Sequence, residues 1–286
     1  HKSWADDFEH ENAEELEAYA RDFWKDEYAL DDVYGGVLDI GKVREARAEE
    51  VVYMQSKGIW KEVPAQECWD KTGKAPVTVK WVDTEKLGGV VRSRLVARDF
   101  KVKGEKERED LFAATPPLEL LKAQLSRAAA KRGRKVLVID VKKAHLYPKC
   151  DAEVYIELPP EAGAEAGMCG KLVHWLYGFR PAAQAWESHY AGNLEGIGFV
   201  RGRASPVSFY NSVTDVSCLV HGDDFTFVGE RAALDAIEGK MKSWYELKVK
   251  ARLGDEEGDD KETDILGRLA RCTKSGFEYE ADPRHR

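Results

Sequence analysis

The chain has 286 residues, 43% hydrophobic and 34% charged, with a formal net charge of −8, enough apolar content for a sizeable core and one or two compact lobes. No run of 18 apolar residues occurs, which excludes a membrane-spanning helix. The five cysteines (Cys68, Cys150, Cys169, Cys218, Cys272) form no C-x-x-C pair, which argues against a zinc knuckle or disulfide framework and for a reducing, cytoplasmic or nuclear, non-secreted setting.

In chain order, Glu11 to Lys25 has helical spacing (Leu16, Tyr19, Ala20, Phe23) within an acidic stretch. With the turn-rich Asp31 to Gly41 it reads as a linker-like segment over residues 1–42. The start, His1-Lys2-Ser3-Trp4, is neither an initiator Met nor a signal peptide and suggests a fragment or a polyprotein segment. Val43 to Gly58 predicts an amphipathic helix stopped at Gly. Pro76 to Val82 and Val90 to Phe100 predict two strands joined by a turn at Gly88-Gly89, followed by the charged loop Lys101 to Asp110. Pro117 to Arg132 predicts a helix, Val136 to Val141 a strand, and Val154 to Leu158 and Lys171 to Trp175 short strands. A helix over Pro181 to Ile197 has Trp186 and Tyr190 on one face. A strand beginning at Phe209, a hairpin, a helix over Ala232 to Tyr245, an acidic loop Asp255 to Lys261, and strands over Thr263 to Cys272 and Gly276 to Tyr279 complete an α+β order.

Two places carry candidate chemistry. Val216 to Val228 holds Asp223-Asp224 after Gly222, between two apolar, β-favouring runs, which predicts a hairpin with acids at its tip. Adjacent acids repel, and a hard divalent cation with oxygen ligands relieves that; a solvated Asp-rich turn is the other reading of these residues. Asp140 ends the apolar run Lys135 to Val141, where a charge needs a metal or a partner such as Lys142 or Lys143. Charge is segregated as well. Residues 1–50 hold 16 acids and 6 bases, a net −10, whereas residues 71–150 hold 20 bases and 9 acids, a net +11. Phosphate binding follows local rather than total charge. Arg94 and Arg98 share a face of their strand.

Ordered blocks from Glu45 onward resemble the reverse transcriptase domain of copia-type retrotransposon Pol polyproteins. They are Glu45-Ala46 to Trp60-Lys61-Glu62-Val63-Pro64; Val79 to Val82; Arg94 to Phe100; Phe112-Ala113-Ala114-Thr115-Pro116; Ile139-Asp140-Val141 to Leu146; Val154 to Pro160; Leu176-Tyr177-Gly178-Phe179 to Trp186; and His221-Gly222-Asp223-Asp224. Three single positions and one three-residue block depart from the family pattern. His221 stands for an aromatic residue and Gly222 for Val or Met. His145 stands for the Phe or Tyr that blocks a ribose 2′-hydroxyl, and Pro181-Ala182-Ala183 for Gln-Ala-Pro.

The resemblance implies a right-hand polymerase fold, a mostly antiparallel sheet with helices on one face. Residues 43–135 would be fingers-like, 136–254 a palm with the catalytic carboxylates, and 255–286 the end of the palm, with the thumb largely missing. It implies template-directed nucleotidyl transfer to a primer on RNA or DNA, with deoxynucleoside triphosphates as substrates. Asp140, Asp223 and Asp224 would hold two Mg²⁺, for which Mn²⁺ can substitute. Lys80, Arg94, Arg98, His145, Gly178 and Gln184 would meet substrate. RNase H and integrase regions are expected outside this chain, with the enzyme in a cytoplasmic virus-like particle or the nucleus. An inactive remnant that keeps the fold and weak nucleic-acid binding is the alternative. Gly222-Asp223-Asp224 alone also suits an RNA-dependent RNA polymerase.

Overall fold

The computed structural model describes residues 29–99 and 114–280; the expected helix over Glu11 to Lys25 and the loop Lys101 to Asp110 lie outside them. The chain forms two compact units, one from residues up to 107 with 148–182, the other from 108–147 with 183–286.

The first unit opens with a short hairpin of β1 (Ala29–Leu30) and β2 (Val37–Leu38). Helix α1 (Ile40–Ser56) follows, starting three residues earlier than its apolar spacing suggests. The reason is Asp39, whose carboxylate accepts from the Lys42 N–H at 3.0 Å and caps the first turn. Gly58, at φ +62°, takes the left-handed conformation just past the helix end. Strand β3 (Trp60–Pro64) and helix α2 (Ala65–Thr72) come next, and β4 (Val79–Lys86) pairs antiparallel with β5 (Val90–Ala97). The turn falls at Gly88-Gly89 as expected, both at positive φ. The chain then gives helix α3 (Leu118–Ala129) and strand β6 (Arg134–Val141) to the second unit. It returns with β7 (Tyr155–Ile156) and β8 (Met168–Leu172), which make a three-stranded sheet in the order β3-β8-β7.

The second unit continues with helix α4 (Ala182–Gly196), strands β9 (Val200–Arg201), β10 (Ser208–Asn211), β11 (Val216–His221) and β12 (Asp224–Glu230), helix α5 (Arg231–Trp244) and β13 (Leu247–Leu253). A final sheet joins β14 (Glu262–Ile265), β15 (Arg268–Thr273) and β16 (Gly276–Tyr279). The single strand expected over Thr263 to Cys272 is instead a hairpin, because Leu266 and Gly267 both take positive φ and reverse the chain.

Six strands form one antiparallel sheet in the order β13-β6-β12-β11-β10-β9. On one face its centre is apolar: Leu137, Ile139, Cys218, Val220, Phe225 and Phe227 have no or almost no exposed surface. Alternation along β12 puts Phe225 and Phe227 on one face and Asp224, Thr226 and Val228 on the other. Trp186 and Tyr190 of α4 pack edge-on against Phe225, and Arg252, on the Leu137 side, reaches Asp235 and Glu238 of α5. Gln124 of α3 instead accepts from the Ser217 hydroxyl at 2.5 Å, on the Val228 side. The helices therefore divide between the two faces, which corrects the expectation of helices on one face only. Each face needs its own apolar cover, since Val136 and Val138 on the α3 side are as buried as Leu137 and Ile139.

Candidate active site

Asp140 and Asp224 are direct cross-strand partners in the β6–β12 pair. Antiparallel pairing sets opposed side chains on the same face about 5 Å apart at Cβ, where like charges repel. Asp223 precedes Asp224 in a two-residue turn closed by the His221–Asp224 pair. Gly222, the first central residue of that turn, sits at φ +62°, and Asp223 does not have positive φ. A two-residue hairpin with that pattern is the type II′ form, which favours Gly at its first central position. The peptide carbonyl of Asp223 accepts from the Val141 N–H at 2.9 Å. The turn is thus tied to the strand that carries Asp140.

A cation already answers the paired carboxylates. Lys250 Nζ lies 2.5 Å from Asp224 Oδ1 and 3.5 Å from Asp140 Oδ1. Lys250 sits where the β13–β6 register shifts between Val249 and Ala251. That bulge frees one residue from the ladder and re-aims its side chain. Burial, followed by the charges of Asp223 and Asp140, pushes the Asp224 carboxyl above the ordinary range against the opposing pull of Lys250. For Lys250, burial works against the charge, but Asp224 and Asp140 outweigh it and the ammonium is held more tightly than usual.

His145 lies in the 3₁₀ turn Ala144–Leu146, just past β6. Burial lowers its pKa and the Asp223 charge opposes that, so the ring is close enough to feel the tip of the hairpin. Gln184 lies half-buried in the first turn of α4.

The other expected contacts belong to the first unit. The β4–β5 register sets Lys80 opposite Val96 and Arg94 opposite Val82. By alternation Lys80, Arg94 and Arg98 share one face of the hairpin, while Trp81, Leu95 and Ala97 are buried on the other. Gly178, at φ +88°, lies against the end of β5: a Cβ there would collide with the Ala97 carbonyl oxygen and stand 2.5 Å from Val96 Cγ1. The Ala97 N–H donates to the Tyr177 carbonyl at 2.7 Å, and the Arg180 N–H to Asp99 Oδ2 at 3.1 Å. Only a residue without a side chain permits that approach.

The structure thus sets Asp140 opposite Asp224 with Asp223 in the adjoining turn, His145 within reach of the Asp223 charge, and Lys80, Arg94 and Arg98 on one face of a separate hairpin. Sequence reasoning missed Lys250. Leu247-Lys248-Val249-Lys250-Ala251-Arg252-Leu253 alternates apolar and basic residues with a strand's period, which signals the strand but not the direction Lys250 takes at its bulge. Among the described residues no group of three or more His, Cys, Asp or Glu side chains converges to hold a metal ion. The donor chemistry nevertheless fits a hard divalent cation: carboxylate oxygens on facing strands, whose mutual repulsion now falls to an ammonium.

Residues 68–256, about two thirds of the chain, match the family model described as reverse transcriptase (RNA-dependent DNA polymerase). The chain is 26% identical over 218 residues to the retrovirus-related Pol polyprotein from transposon TNT 1-94 of Nicotiana tabacum; the match covers 72% of this chain and spans 16% of that polyprotein. Among solved structures, apo telomerase from Candida tropicalis truncated from the C-terminal domain aligns with a TM-score of 0.45 and 9% identity, over 85% of this chain and 61% of that one. Asp140, Asp223, Asp224 and Lys250 all fall inside the matched residues, and the chain belongs to the reverse transcriptase (RNA-dependent DNA polymerase) family.

Proposed function

We propose that this domain extends a primer on an RNA or DNA template, joining deoxynucleoside triphosphates to the primer 3′-hydroxyl with release of pyrophosphate. The observation that carries the reading is the register of Asp140 against Asp224 with Asp223 at the adjoining turn. Asp140 and Asp223 would hold Mg²⁺, with Asp224 in support. Bound there, such ions would supply activation of the attacking oxygen and charge neutralisation on the leaving pyrophosphate. The protein's own share is positioning: two strands fix the carboxylates, and Lys250 limits their repulsion until substrate arrives.

In this reading the six-stranded unit acts as the palm, and the β4–β5 hairpin belongs to the fingers. Lys80, Arg94 and Arg98 form a cationic face for triphosphate or template phosphates. His145 supplies a ring near Asp223 that disfavours a ribose 2′-hydroxyl. RNase H and integrase regions of a longer polyprotein would act beside it, in the cytoplasm or the nucleus.

The test is primer extension on a DNA-primed RNA template with Mg²⁺ or Mn²⁺. Metal-dependent deoxynucleotide incorporation, abolished by Asp223→Asn with the fold unchanged, is expected. Extension surviving in that variant overturns the carboxylate assignment. Equal use of ribonucleotides overturns the role of His145. Salt-dependent binding of primer–template without extension by the folded protein favours an inactive remnant.

A further inference from the structure

We propose that Trp186 is a positioning residue of this site, its indole N–H fixing the turn that presents Asp223. The inference rests on the polymerase reading above for its consequence in catalysis, and on geometry alone for the tether itself.

Side-chain packing does little to hold the turn. Gly222, Asp223 and their neighbour His221 are exposed. A Cβ placed on Gly222 would meet nothing within 4 Å, so packing does not fix the turn. Gly is also the residue with the most backbone freedom. Besides the His221–Asp224 pair that closes the hairpin, two peptide carbonyls tie the turn to its surroundings. That of Asp223 accepts from Val141 N–H at 2.9 Å. That of Gly222 accepts from Trp186 Nε1–H at 2.8 Å. One tether runs to the strand bearing Asp140, the other to helix α4.

The donor is itself rigid. Trp186 is only 2% exposed. Its ring is walled edge-on by Tyr190 at 5.4 Å, Tyr245 at 5.2 Å and Phe225 at 6.2 Å, with His189 stacked at 5.9 Å. Phe225 is two residues beyond Asp223 on the same hairpin. The indole therefore clamps the hairpin twice, by packing under its strand and by a hydrogen bond to its tip. A buried indole N–H needs a hydrogen-bond partner. Here that partner is a carbonyl at the exposed, charged tip of the hairpin rather than a group within the core.

The experiment compares wild type with Trp186→Phe, which keeps an aromatic ring and removes the donor, and with Tyr190→Phe, a control in the same core with no bond to the turn. Amide hydrogen exchange over residues 216–228 is read without substrate. Steady-state extension then gives kcat, KM and the Mg²⁺ concentration for half-activation. Trp186→Phe is expected to speed exchange in the turn, to raise the half-activating Mg²⁺ concentration, and to lower kcat about tenfold or more with little change in KM for primer–template. Tyr190→Phe leaves all four near wild type. If Trp186→Phe fails to fold, site-specific replacement of Trp186 by 3-benzothienylalanine, which keeps the bicyclic shape and lacks the N–H, decides the question. Wild-type exchange in the turn of a folded, donor-less variant overturns the proposal. Should wild type extend no primer, the exchange result still tests the tether, and the polymerase reading fails separately.

Discussion

Lys250 Nζ stands 2.5 Å from Asp224 Oδ1 and reaches it from a bulge in the neighbouring strand β13. The ammonium occupies the position between carboxylates that a divalent cation would contest. Lys250→Met should therefore lower stability without divalent cation by about 0.5–1 kcal/mol, the scale of a half-exposed ion pair. It should also enlarge the stabilisation that millimolar Mg²⁺ gives, because binding to the folded state no longer displaces a charge. Thermal unfolding with and without Mg²⁺ reads both effects. Equal Mg²⁺ shifts in variant and wild type would show that the lysine and the metal do not compete.

Gly222 is explained by conformation rather than space. Its φ is +62°, and a Cβ at this position would have open space around it, with nothing inside 4 Å. A β-branched residue at this φ is strained, so Gly222→Val should destabilise by about 1–2 kcal/mol. Gly222→Asn should cost less, because Asn is unbranched at Cβ and is among the residues that such positive-φ turns accept. Urea unfolding of the two variants checks the order. Equal costs would assign the effect to something other than backbone strain.

The hairpin and β6 were legible because their signals are local. Unbroken apolar, β-branched runs flank a glycine, and an acid appears where a strand would bury it. The positive-φ turn at Gly88-Gly89 was legible for the same reason. Lys250 was not, since its meaning depends on a bulge that re-aims it toward strands more than 20 residues earlier in the chain. The reversal at Leu266 was hidden because leucine gives no hint of φ +56°. The acidic loop Asp255 to Lys261 was read correctly as a loop, but its anchor lies about 120 residues upstream in Lys135, which no local pattern reveals.

That anchor is a buried ion pair. Lys135 and the Asp259 side chain both have 0% exposure and contact each other directly. Glu256 lies 3.0 Å from the same ammonium, and Arg231 lies 2.7 Å from the other Asp259 oxygen. Lys135→Met leaves a buried carboxylate without its closest cation and should cost about 3–5 kcal/mol. The double variant Lys135→Met/Asp259→Leu removes both charges and should regain at least half of that loss. Chemical denaturation of the single and double variants measures the coupling. Additive losses would mean that the pair is not a unit.

Asp215 gives a pH dependence with a definite sign. Its carboxylate takes a bond from Arg134 at 2.6 Å, another from the Tyr210 hydroxyl at 3.0 Å, and contacts Arg127. The Arg134 bond, against the opposing effect of burial and with help from Tyr210 and Arg127, holds its pKa far below the ordinary carboxylate value. A depressed folded-state pKa contributes stability that is present above the unfolded value of about 3.9 and is lost as pH falls toward the folded one. The side chain is 36% exposed, so screening limits the contribution to about 1 kcal/mol. Asp215→Asn keeps the φ of +53° within reach, since Asn tolerates that region, and removes the charge together with one of the two acceptor oxygens that face Arg134, Arg127 and Tyr210. The variant should therefore be less stable than wild type at neutral pH by about that amount. The gap should close as the solution is acidified below the ordinary carboxylate range, where the unfolded wild-type chain takes up a proton at Asp215 before the folded one does. Urea midpoints across an acid series test this, and a gap that stays constant would show that the charge of Asp215 contributes nothing to the fold.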